Sequence, residues 1–209
     1  MSGAPRSVWL VRHGQADWNV ARRYMSIADR PLTRFGERQA LALARFFAAR
    51  RVDAIVHSGL MRTEATAQAI KGARRIPVFT DARWREASHG AWEGLTYREV
   101  MQRYPEDAAR RFADPLHHAP LQGESLAQLA RRVAQAWQDL GAQFAGRRVV
   151  VVAHSGPIQA LLCALMGTPP AEHWRWRIDL GSVTAVDCYP STTILRMVNH
   201  VPPLAAGPS

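Results

Sequence analysis

Two segments of this 209-residue chain end an apolar run in a histidine-bearing triplet: VWLVRHG at 8–14 and VVVAHSG at 150–156. A buried strand that stops abruptly delivers the next few residues to one rim of a sheet. In open α/β sheets that carboxyl rim is where ligands bind. If the two strands are parallel neighbours, His13 and His154 meet there, with Arg12 beside them. A third segment, SGLMRTEATA at 58–67, sets Arg62 near the start of a helix that comes after another short strand. Two guanidinium groups, two imidazoles and a helix N-terminus converging on one point suit a dianionic phosphoryl group. Guanidinium forks grip phosphoryl oxygens in pairs, and helix-terminal N–H groups add partial positive charge.

These residues need a framework, and the pattern alternates strand with helix. Residues 7–11 predict the first strand. Thr33 is expected to cap a helix to about Arg50, with Phe35, Leu41, Ala44 and Phe47 among its apolar positions. DAIVH at 53–57 predicts a second strand, Ser58 a cap for a helix through Ile70, and residues 76–79 a third strand. The stretch from about 85 to 122, rich in Trp, His and Pro, predicts loops with a short helix laid over the sheet edge. Ser125 and Gln128 form a capping box. Behind it Leu126, Leu129, Val133, Trp137, Leu140 and Phe144 recur at steps of three and four, an amphipathic stripe. VVVVA at 149–153 lacks alternation, which predicts a central strand buried on both faces. Ile158, Leu161, Leu162 and Leu165 mark another helix, succeeded by strands near 182–188 and 193–198. Residues 200–209 are expected to be a loose tail. The whole predicts an α/β fold in three layers, α/β/α, around a mostly parallel sheet. It is expected to form a single domain over 1–209, with a segment inserted at about 85–125.

Composition narrows the functional classes. With 47% hydrophobic and 21% charged residues, the chain reads as an ordinary soluble globular protein. No stretch approaches the ~20 apolar residues of a membrane span, and the N-terminus lacks the apolar core of a signal peptide. Cys163 and Cys188 are far apart with no CxxC partner, so a reduced, cytoplasmic chain is expected. The net charge of +10 comes from 27 basic residues, all arginine except Lys71. They fall mostly in scattered pairs such as Arg22-Arg23 and Arg131-Arg132, with no stripe of interleaved aromatics. That pattern argues against a nucleic-acid partner and suits a field that attracts small anions. Adjacent His117 and His118, even with His89, lack cysteine or carboxylate at ligand spacing, so no metal site is expected. They are expected instead to border the substrate entrance.

Five ordered motifs resemble those of the histidine phosphatase superfamily, which has the phosphoglycerate mutase-like fold. RHGQADWN at 12–19 is similar to its signature, with Ala16 where threonine or serine is commoner. SGLMRTEATA resembles the motif that carries the second arginine. EASHGAWEG at 86–94 is similar to the segment E-x-x-x-G-x-W-E-G. QGES at 122–125 resembles G-G-E-S, with Gln122 in place of the first glycine. VAHSGPIQALL at 152–162 resembles the motif of the second histidine, with Ser155 where glycine is usual.

The resemblance implies an enzyme of the phosphoric monoester hydrolase type that needs no cofactor. By position, His13 would be the nucleophile and become a phosphohistidine. Arg12, Arg62 and His154 would hold the phosphoryl group, with Asn19 and the Ser155 N–H assisting. Glu86 would be the proton donor, with Glu93 its rival, and Arg62 could instead pair with Glu64 on the helix surface. The short chain and the EASHGAWEG segment favour a phosphatase over a sugar-phosphate mutase, the runner-up. The tract WEGLTYREVMQRYPE resembles the branch containing α-ribazole phosphatase and broad-specificity phosphatases. A non-catalytic phosphate-binding module would be marked by loss of His13 or the donor carboxylate, and neither is lost. The expected partner is a small phosphorylated substrate. The sequence leaves the oligomeric state open, a homodimer included.

Overall fold

The computed structural model describes residues 6–205. Six strands form one sheet: β1 (Arg6–Arg12), β2 (Ala54–His57), β3 (Val78–Thr80), β4 (Arg148–Ala153), β5 (Val183–Cys188) and β6 (Thr193–His200). Their order is β3-β2-β4-β1-β5-β6. The first four run parallel, while β5 is antiparallel to both β1 and β6.

Helices cover both faces, and strand alternation decides which side chain serves which layer. Val8, Leu10, Val149 and Val151 join the core beneath α6 (Leu126–Gln143) and α7 (Ser155–Met166). Trp9, Val11, Val150 and Val152 join the opposite core, with Leu43 and Phe47 of α2 (Arg34–Ala48) and Ala67 and Ile70 of α3 (Met61–Lys71). The valine run of β4 therefore lacks alternation because both of its faces are buried, as expected of a central strand. Thr33 caps α2 through Gly36 N–H, and Ser125 with Gln128 closes the capping box of α6.

Three local expectations change. The helix after β2 begins at Met61 rather than behind a Ser58 cap; its first N–H donates to Asp29 Oδ1 at 2.6 Å, a carboxylate from another segment. The segment between β3 and α6 holds two helices, α4 (Tyr97–Arg103) and α5 (Pro105–Ala113), where one was expected. Pro105 sits in the first turn of α5, where its missing N–H costs nothing. Trp92, Val100 and Ala108 give this segment a small core of its own. Finally, β6 extends to His200, so the loose tail begins later, and its residues 206–209 lie outside the described residues. A four-residue helix, α1 (Asp17–Val20), comes directly after the first motif.

Candidate active site

The register of β1 against β4 pairs Arg12 with Ala153, so His13 and His154 are the next residues on neighbouring strands. His13 N–H extends the ladder to Ala153 O at 3.1 Å, and the two rings meet edge to face with centroids 4.9 Å apart. His13 Nδ1 lies 2.7 Å from the Gly14 carbonyl. A carbonyl only accepts, so Nδ1 carries the proton and Nε2 keeps its lone pair. Gly14 is required beside it, since a Cβ there would lie 2.5 Å from Gly36 O in the first turn of α2. His154 Nε2 meets Ser58 Oγ at 2.8 Å, and Ser58 in turn meets Thr63. The residue expected to cap a helix instead orients this imidazole.

Both rings are buried. Burial first, then the charges of Arg62 and Arg12, hold His13 well below its ordinary 6.5. His154 is lowered by burial, by His13 and by the same arginines. The two imidazoles are therefore neutral at pH 7.

Arg62 is wholly buried, and the surface pairing with Glu64 does not occur. Its guanidinium donates to Ala28 O at 2.7 Å and Ser26 O at 2.8 Å. Burial pushes it down to about 10, so it stays cationic at neutral pH. Arg12 donates to Ile178 O at 2.7 Å. Among the described residues, the Nε of each arginine is buried with no hydrogen-bond partner. Two orphaned cationic donors flanking the histidines are the arrangement that phosphoryl oxygens satisfy. Asn19 accepts from Ala16 N–H through Oδ1 at 2.8 Å, leaving its amide NH2 as a donor.

The rival carboxylates have separate positions. Glu93 accepts from the N–H groups of Ser26 and Ala28 at 2.8 and 2.9 Å, and from the Ser26 hydroxyl. It fastens the loop whose carbonyls hold Arg62. Glu86 instead lies against the start of α7, accepting from Gly156 N–H at 3.1 Å and Ser155 Oγ at 3.1 Å. A Cβ on Gly156 would come within 2.1 Å of Glu86 Oε1, so only glycine permits this contact. Arg132 of α6 secures the chain on either side, donating to the carbonyls of Arg83, Arg85 and Glu86. It also pairs with Glu124 at 2.8 Å. The QGES segment thus contributes through Glu124, and Gln122 occupies the left-handed region with φ 59°. That conformation favours the glycine it replaces.

A cavity of about 290 Å³ opens beside Glu86 and Asn19. Arg12 and Ser155, the chain neighbours of the two buried histidines, line it. So do residues that the motifs did not single out for a site: Arg23, Tyr24, Arg111, Gln159 and His173, with His89. Arg111 comes from α5 and His173 from a short helical turn at 170–175, so no local signal linked them to the rim. His117 and His118 do not border this cavity; both are exposed and pair with Asp114. Trp92 packs with Val100 and Ala108, while Trp174 is exposed.

The sequence pattern of the histidine phosphatase superfamily (branch 1) matches residues 8–201. The chain is 34% identical over 191 residues to phosphoserine phosphatase 1 of Hydrogenobacter thermophilus, covering 91% of this chain and 90% of that protein. It is 30% identical over 192 residues to the adenosylcobalamin/α-ribazole phosphatase of Escherichia coli, covering 92% and 95%. Among solved structures, the α-ribazole phosphatase of Shigella flexneri is similar with a TM-score of 0.89 at 28% identity. That likeness spans 96% of this chain and 100% of the other.

Proposed function

Because the chain belongs to the histidine phosphatase superfamily (branch 1), we infer that it hydrolyses small phosphate monoesters through a phosphohistidine on His13. It is a phosphoric monoester hydrolase. The observation that carries the mechanism is the His13 ring, neutral and with Nδ1 committed to the Gly14 carbonyl. That tautomer leaves Nε2 as the nucleophile.

In the proposed reaction Nε2 attacks phosphorus, the N–P bond forms and the ester P–O bond breaks. Glu86 gives its proton to the departing alkoxide. The resulting carboxylate then takes a proton from water, whose oxygen attacks phosphorus and releases inorganic phosphate, restoring the lone pair to Nε2. Arg12, Arg62, His154, Asn19 and the Ser155 N–H hold the phosphoryl oxygens. Their fixed positive charge offsets what builds up in transfer, where catalysis is mostly positioning and electrostatics. Turnover is accordingly expected without a divalent metal. Relatives named for phosphoserine and for α-ribazole put the candidate substrates among small phosphorylated metabolites, and α-ribazole phosphate is one to test.

The test is phosphate release in EDTA from p-nitrophenyl phosphate, phosphoserine, α-ribazole phosphate and 3-phosphoglycerate, for wild type and His13→Ala. Wild type is expected to turn over and to yield an acid-labile phosphoenzyme. The variant should lose about a thousandfold or more of the rate while keeping its circular dichroism spectrum. A folded wild type that releases no phosphate but moves phosphoryl between sugar acids would make it a mutase instead.

A further inference from the structure

A second cavity of about 220 Å³ adjoins the one at Glu86. Tyr24, His89, Arg111 and His173 line both. Beyond these shared side chains the second cavity is walled by Trp92, Phe112, Pro115 and Pro120. Flat apolar surfaces dominate it. Tyr24 and Trp92 have ring centroids 5.4 Å apart, and Trp92 and Phe112 5.7 Å. The wall is stiff at its base, because Trp92 is buried and donates from Nε1 to Asp107 at 2.9 Å. Phe112, at the end of α5, remains 48% exposed although it abuts that buried ring. Covering it removes apolar surface from water, which is favourable.

The shared wall also suits a flat ring. Among the described residues Arg111 has no carboxylate partner; its guanidinium donates to the Pro115 carbonyl, and its planar face can stack on an aromatic group. His89 and His173 are neutral, each held below the ordinary histidine value chiefly by burial, so they bring no charge to desolvate. The neighbouring cavity holds Arg12, Asn19 and Ser155 of the proposed phosphoryl site, together with Glu86. The part of a monoester that extends beyond it is the alcohol.

We propose that this annex is the leaving-group subsite and selects phosphate monoesters whose alcohol carries an aromatic ring. The ring lies between Phe112 and Tyr24, with Arg111 at the neck. The proposal rests on the phosphatase reading above.

The test compares 2-phenylethyl phosphate with ethyl phosphate, which both leave as simple primary alkoxides, so the chemical step is matched. Wild type is expected to favour the phenylethyl ester in kcat/KM by about tenfold. Phe112→Ala should remove that preference by raising KM, a loss of about 1.4 kcal/mol, while ethyl phosphate stays within about twofold. Phe112→Leu, which keeps an apolar side chain on α5, should fall between them, with thermal melting as the check on the fold. Equal wild-type rates for the two esters would overturn the proposal. So would equal slowing of both by Phe112→Ala and Phe112→Leu, or a larger preference for 2-carboxyethyl phosphate that ignores Phe112 and depends on Arg111→Gln. His13→Ala abolishing turnover in any of these cases leaves the phosphatase reading intact. If neither ester turns over while p-nitrophenyl phosphate is still hydrolysed, the proposal alone falls; if no monoester of the panel is hydrolysed either, both fall.

Discussion

The two glutamates of the EASHGAWEG segment differ in what they touch, and on the proposed mechanism that separates their roles. Glu93 commits both oxygens to the loop at 26–28 and does not line the cavity beside Asn19. Glu86 lines the cavity and is held by two contacts at the start of α7, beside the strand end that carries His154. Ser155 adds a hydroxyl contact that glycine at this position would not supply. Glu86→Gln keeps the shape and the acceptor oxygen but has no acidic proton. For alkyl monoesters, whose alkoxide leaves only with a proton, phosphoenzyme formation should slow by about 10²- to 10⁴-fold. For p-nitrophenyl phosphate, whose phenolate departs unaided, the loss should be far smaller. Single-turnover rates across leaving groups of graded pKa measure this, and equal slowing of all of them would assign the acid elsewhere.

At the level of elements, the Arg62 guanidinium is placed by a relay rather than by its own helix. Glu93 fixes the loop, and the Ser26 and Ala28 carbonyls fix Arg62. Glu93→Ala releases the loop N–H groups into a partly buried setting and frees the guanidinium to drift. KM for every monoester should therefore rise by about tenfold or more, while the dependence on leaving-group pKa keeps its wild-type slope. A changed slope would mean that Glu93 takes part in proton transfer. The same relay marks the limit of reading this chain from sequence. β4 and the α6 capping box were legible because their signals are local: an unbroken valine run, and Ser125 three residues before Gln128. The strand-end histidines were legible because parallel neighbours in register must deliver them to one rim. The start of α3 was not, since its cap is Asp29, some thirty residues earlier. Nor was the service of Ser58 to His154, or of Arg132 to the Glu86 segment, because each contact is made between elements that only the folded chain brings together.

Over the whole molecule, the buried neutral pair His13 and His154 ties stability to pH. In the unfolded chain each imidazole titrates near 6.5, while in the native state both are held well below that, first by burial. As pH falls beneath 6.5 the unfolded chain binds protons that the native protein does not, so stability is full above 6.5 and declines below it. The slope approaches about 1.4 kcal/mol per pH unit for each histidine, which makes roughly 2 kcal/mol for the pair between pH 6.5 and 5.5. Asp17, Asp53, Asp139 and Asp179 have native values lowered from 3.8, so their contribution is present above that range and disappears only in stronger acid. The two windows are thus separable. Urea unfolding at pH 7.5, 6.5 and 5.5 should show wild-type stability falling across the last step, and a His13→Asn, His154→Asn double variant should fall less steeply. The variant retains His57, His89 and His173, also lowered by burial, so the difference between the two slopes isolates the central pair. Matching slopes would mean that these imidazoles accept protons in the folded protein. His13, the proposed nucleophile, would then be protonated in the same pH range, since the burial and arginine charge that make acid destabilising are the same factors that keep Nε2 unprotonated.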